Sequence, residues 1–130
     1  MKTQVTLTQE EQLQAAIEKG KKKFGKVYKT TIADEDIVWR KLKRGEYKEI
    51  MGLVVYKDEE KLDEEGNQIV EQVFDEEATY DLRQEEIARA VILFPNASIV
   101  DDMAAVADII STECMIKSGF GDRTPQTTEC

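Results

Sequence analysis

The sequence predicts a mainly helical α+β fold: an N-terminal helix, a β-hairpin, then three further helices. Three observations carry this. A capping signal at Thr8 opens an apolar stripe of helical spacing. Two β-branched or aromatic segments flank a short polar turn between Val27 and Leu42. The last third of the chain holds two runs of helical periodicity, closed by Pro95 and Gly119. No segment repeats, and 130 residues are the length of one small domain.

In Thr8-Gln9-Glu10-Glu11 a hydroxyl can accept an orphan amide and a carboxylate three residues on can reach back, so a helix starts there. Leu13, Ala16, Ile17 and Phe24 form a thin apolar stripe, lysines suit the negative end of the dipole, and Gly25 supplies the stop; the predicted span is 9–23. VYKTTI and IVWRKL then read as strands around ADED. Period-two alternation sends Ile37, Trp39 and Lys41 to one side and Val38, Arg40 and Leu42 to the other. Trp39, the only tryptophan, reads first as a core anchor. Tyr47, Ile50, Met51 and Val54 predict a second helix over 45–56, with Val54-Val55-Tyr56 equally able to open a strand. In EEGNQIVEQVF the Gly66-Asn67 breaker leaves a short hairpin arm and a helical turn both open. Asp81, with Gln84 three residues on, marks the start of a third helix whose face of Leu82, Ile87, Ala88, Val91 and Phe94 stops at Pro95. A fourth helix carries Met103, Val106, Ala107, Ile110, Cys114 and Met115 as far as Lys117, with Gly119 as its stop.

Charge divides the chain. Residues 1–57 hold 13 Lys/Arg and 8 Asp/Glu, whereas residues 58–130 hold 5 and 19. From Asp58 to Asp81 there are 11 acids and one base, Lys61, a density that repels itself and resists close packing. The expected organisation is a single domain over 1–121 with an acidic, mobile insertion at about 58–79 and a flexible tail over 122–130. Lys19, Lys21, Lys22, Lys23, Lys26 and Lys29 are the one candidate phosphate-binding face. Their place at a helix end explains them locally, and an overall charge of -9 disfavours nucleic acid. No apolar run approaches the roughly 20 residues that span a bilayer. With Cys114 and Cys130 lacking metal-type spacing, the simplest reading is a cytoplasmic protein with reduced thiols.

The chain has no histidine, which removes the commonest acid/base group and the usual partner of a nucleophilic Ser118 or Cys114. An EF-hand register with Gly66 sixth puts Lys61 and Gln72 where carboxylates belong. Gly119-Phe120-Gly121 lacks the third glycine of a dinucleotide fingerprint. The paired acids lie in an exposed run with no apolar pocket to raise a pKa. The expectation is a non-enzymatic protein with neither cofactor nor metal.

The stretches KKKFGKVYK, IVWRKLKRGEYKEI, ILFP and ADIISTECMIKSGFGD together resemble small tail assembly chaperones of tailed bacteriophages. The matching positions are Trp39, Arg40, Leu42, Arg44, Glu46 and Tyr47, then Leu93-Phe94-Pro95, then Ser118-Gly119-Phe120. The resemblance covers about 21–121 but not the acidic insertion from Asp58 to Thr79. It implies a tail assembly protein that binds tape-measure, tube or hub components during morphogenesis in the host cytoplasm. A structural role in the virion, in tail or baseplate, fits the same features. The expected partner-binding surface is Trp39, Arg40 and Tyr47 with Met103, Val106 and Ile110 of the last helix. The acidic half also fits a second class, a small inhibitor that imitates nucleic acid. Thin apolar stripes are compatible with self-association as a ring or dimer and with a monomer.

Overall fold

The structure, a computed structural model, describes residues 8–119 and Glu129. Helix α1 (Gln9–Phe24) opens as its capping signal requires: the Thr8 hydroxyl accepts from the Glu11 amide at 3.2 Å and donates to the Glu11 carboxylate. It closes at Gly25, whose φ of 82° lies in the left-handed region that glycine reaches without strain. Strands β1 (Val27–Ile32) and β2 (Glu35–Arg40) form the predicted hairpin, but its turn is only Ala33-Asp34, and Glu35 and Asp36 belong to β2.

A third strand, β5 (Ile92–Phe94), pairs antiparallel with β2 and makes it the central strand. The sequence reading placed these residues inside a helix. Phe94 precedes Pro95, which disfavours helical backbone, and Ile92 turns to extended geometry at once. Helix α1 covers one face of this sheet and α3 (Glu76–Val91) and α5 (Ala104–Lys117) the other. Gly20 permits the close approach of α1: a Cβ there would stand 2.9 Å from Val27 Cγ1 and 3.0 Å from Leu93 Cδ1. With both faces covered, Ile37, Val38, Trp39 and Arg40 are all buried. Ile37 and Trp39 join the main core with Val91, Val106 and Ile110. Arg40 takes the α1 side, its guanidinium over the Phe24 ring. Leu42, expected on that side too, joins the main core, because β2 ends at Arg40 and the alternation ends with it.

Helix α2 (Arg44–Met51) ends at Gly52, short of the predicted 56, and the strand alternative for Tyr56 holds. The acidic run, expected to be mobile, is paired β structure. Strands β3 (Tyr56–Leu62) and β4 (Gln68–Phe74) match residue for residue, from Tyr56 opposite Phe74 to Leu62 opposite Gln68. Asp63 orders the tip by accepting from the amides of Glu65 at 2.9 Å and Asn67 at 2.7 Å, and Gly66 (φ 80°) makes the turn. Helix α3 starts six residues before the predicted site. Asp75, not Asp81, is its cap, accepting from the Ala78 amide at 3.0 Å, and Glu76 and Glu77 complement its N-terminal dipole. The last predicted helix is split. α4 (Ile99–Asp102) and α5 are separated by Met103 in extended conformation. The expected tail, with Phe120, Gly121 and Cys130, lies outside the described residues apart from Glu129.

Candidate partner-binding groove

The sequence-predicted surface residues take up very different positions. Trp39 is 1% exposed, stacked on Tyr28 at 4.7 Å, with its indole N–H donating to Thr30 Oγ1 at 2.9 Å. Val106 and Ile110 are fully buried against the sheet and α3. None of these three offers surface to a partner. They are core because a helical or strand stripe shows which residues share a side, not whether that side faces the sheet or solvent. Met103 is half-buried at the junction of α4 and α5.

Arg40 also points inward. Its guanidinium makes two parallel bonds of 2.7 Å to the Glu46 carboxylate and donates to the Ala90 carbonyl at 2.8 Å, near the C-terminal end of α3. Glu46 in turn accepts from the Lys43 amide at 3.0 Å, closing the first turn of α2. The bonds to Arg40 hold the Glu46 carboxyl below its usual pKa and raise that of the guanidinium. Close by, the Leu42 amide donates to Ser118 Oγ at 3.3 Å, and Cys114 packs beneath, its thiol pushed up by burial. These groups lock β2, α2, α3 and α5 together, so Arg40 is a framework residue and not a contact.

Met103 edges a small hollow with Pro95 and Asp102, and of the six only Tyr47 lines the larger groove between α2, α3 and α5. Tyr47 and Met51 from α2 face Tyr80, Arg83, Gln84 and Ile87 of α3 and Ser111, Thr112, Met115 and Ile116 of α5 across a groove of about 470 Å³. Ile87 and Ser111 form its floor, and Ser111 donates to the Asp108 carbonyl at 3.2 Å. Tyr80 (61% exposed) and Ile116 (51%) stand on its walls. Tyr80 and Arg83 also line a wider hollow of about 850 Å³ at the root of the β3–β4 hairpin, with Phe74, Glu76 and Glu77. The two depressions adjoin at Tyr80 and Arg83, and the second has an acidic rim of Asp75, Glu76 and Glu77 beside Lys57. Arg83 is held by donating to the Leu53 carbonyl at 3.1 Å. Sequence reasoning missed the walls because Tyr80 sits in the acidic run and Ile116 lies off the main stripe of α5. Ile109 and Ile116, which no inward face of α5 absorbs, were the available signal.

No group of His, Cys, Asp and Glu among the described residues is arranged to hold a metal ion, and none of the described helices is long and apolar enough to cross a membrane. No protein-family model, curated protein or solved structure matches the chain.

Proposed function

We propose that this chain is a non-enzymatic assembly protein of tailed bacteriophages, working in the host cytoplasm, whose α2–α3–α5 groove covers the apolar face of a client helix in a tape-measure or other tail component. The observation that carries the reading is the groove itself: exposed Tyr80 and Ile116 stand beside Tyr47, Met51, Ile87 and Met115 in a depression between three helices. The acidic rim at Glu76 and Glu77 selects a client helix with basic flanks, and the surrounding charge keeps the complex dispersed. The resemblance to tail assembly chaperones supports the biological setting. Its stretches, remote in sequence, meet in space through the Arg40–Phe24 contact, the β2–β5 pairing and the Leu42–Ser118 bond.

The test is capture of tagged chain from infected cells beside mass spectrometry of purified particles. The expected result is recovery of a tail precursor that withstands high salt, since apolar coverage holds when charges are screened. The variant pair Tyr80→Glu and Ile116→Glu should lose that recovery while keeping the native circular dichroism spectrum. Stoichiometric presence in mature particles would replace the chaperone role with a structural one. Recovery of a host nucleic-acid-binding protein in a salt-sensitive complex would sink the tail reading in favour of the acidic inhibitor.

A further inference from the structure

Among the described residues the β3–β4 arm is a two-stranded ribbon with no helix or strand packed along its length. All of β3 is exposed, and Val73 is the only half-buried residue of β4. Each strand has one neighbour, so both outer edges of the ribbon are unpaired. The register puts Tyr56, Leu62, Val70 and Phe74 on one face, 50–71% exposed. Over Tyr56–Phe74 the arm holds seven acids and two bases.

The opposite character gathers elsewhere. Residues 19–29 and 40–44 hold ten Lys/Arg and no acid, and they meet where α1 ends, β1 begins and α2 starts; of the ten, Arg40 is buried and paired with Glu46. Cations crowd one aromatic ring there: Lys23 Nζ, Arg40 Cζ and Lys43 Nζ lie 5.3, 4.7 and 5.8 Å from the centre of Phe24. Helix α3 holds the two regions apart. Near its start, Thr79 Oγ1 accepts from the Val55 amide at 2.9 Å and fastens the root of the arm. Near its end, the Ala90 carbonyl accepts from Arg40. Eleven residues of helix separate these anchors by ~17 Å, well beyond a Debye length of ~8 Å at physiological salt. Among the described residues no ion pair joins the arm to the basic end.

We propose that the chain associates with itself head to tail, the β3–β4 arm of one copy seated on the basic end of the next. The occupant follows from charge: the complement of the arm is present on every copy, and within one copy the described residues leave the two unpaired with each other. Because arm and basic end are different surfaces, the contact is heterologous and propagates, closing into a ring or running on as a filament. The arm is ~23 Å long and offers less area than a standard stable interface, so the association is weak and governed by concentration and salt. It stands apart from the groove, whose occupant it does not require.

Sedimentation velocity on the purified full chain tests this. At ~20 mM NaCl the average mass should rise with concentration to at least twice 14.8 kDa, and at ~0.5 M NaCl it should return to that value. Glu59→Lys, Glu64→Lys and Glu65→Lys together should leave a monomer, as should Lys22→Glu, Lys26→Glu and Lys29→Glu. All six side chains are exposed, so both variants should keep the native circular dichroism spectrum. Mixing the two reversed variants should restore the larger species. Ile116→Glu, in the groove, should associate like the parent, which separates a failure here from a failure of the client-binding reading. A chain that stays monomeric at low salt, an association indifferent to both reversals, or a mixture that stays monomeric would overturn the proposal.

Discussion

Two hairpins of similar size lead opposite lives in this molecule. The first, β1–β2, has six-residue strands, takes β5 as a third strand and is enclosed by α1 on one side and α3 and α5 on the other. The second, β3–β4, has seven-residue strands in unbroken register and stands in solvent. Pairing is therefore not what separates them. In β2 the run Ile37-Val38-Trp39 offers an apolar side chain to both faces, so each face can recruit a helix. In β3 every position between Tyr56 and Leu62 is charged, so neither face can exclude water along its length. The arm is ordered by its ends, by the Asp63 tip and the Val55–Thr79 root, where the first hairpin is ordered by its middle.

The largest effect should come from striking both middles. Trp39→Ala removes a fully buried indole together with its stacking and its bond to Thr30, and should cost ~3–5 kcal/mol in urea unfolding. Val70→Ala in the arm, at a side chain 65% exposed, should stay within ~0.5 kcal/mol. Comparable losses at the two sites would mean that the arm is packed in solution and would break the comparison.

Ion pairs sharpen it. Arg40, paired with Glu46 and bonded to Ala90, joins β2, α2 and α3 at side chains 11% and 29% exposed in the ion pair, whereas Lys61–Glu71 crosses the arm in open solvent. Glu46 is held below its unfolded pKa of ~4.3 by its bonds to Arg40, so its contribution is complete above that pH and is lost as pH falls through the lowered folded value. Glu46→Gln should therefore cost about 1–2 kcal/mol at neutral pH, after discounting for its partial exposure, and the gap from the parent should close as the solution is acidified. Lys61→Gln should leave the unfolding midpoint where it was at either pH. A gap for Glu46→Gln that is constant with pH would show that the pair acts through packing and not through charge.

How far the sequence discloses this molecule follows the same division. Where local chemistry and tertiary packing agree, the elements are legible: Thr8 and Glu11 cap α1, VYKTTI and IVWR make the first hairpin, and Lys117 and Gly119 end the last helix. Strand β5 is hidden because Leu82, Ile87, Val91 and Phe94 keep helical spacing up to Pro95, and only pairing with β2 reveals that the helix stopped at Val91. The Gly66-Asn67 breaker left a hairpin arm open, which the structure bears out, but the acidic run hid its first strand and the true cap at Asp75, since repulsion argues against order unless cross-strand partners are known. Of the candidate surface, Tyr47 alone reaches the groove. Trp39, Val106 and Ile110 were rightly seen as sharing apolar faces, but the direction of those faces is settled by where the sheet lies.

The smallest expected effects lie in the two turns, and they carry opposite signs. The first hairpin turns through Ala33 and Asp34, both at positive φ (48° and 67°), a two-residue geometry that favours Asn or Gly and penalises the Cβ of alanine. Ala33→Gly relieves that strain while giving the unfolded chain more freedom, so the net should be a stabilisation of about 0.5 kcal/mol. The arm already has glycine where it turns left-handed, at Gly66, with no neighbour near the position of a Cβ. Gly66→Ala should thus raise amide exchange across the tip from Asp63 to Gln68 through backbone strain alone, leaving exchange in β2 and α5 unchanged. If the tip substitution also loosened β2, the two hairpins would be one cooperative unit. If it loosened only the arm, the charged ribbon would be a separately opening element, free to order further on whatever it meets.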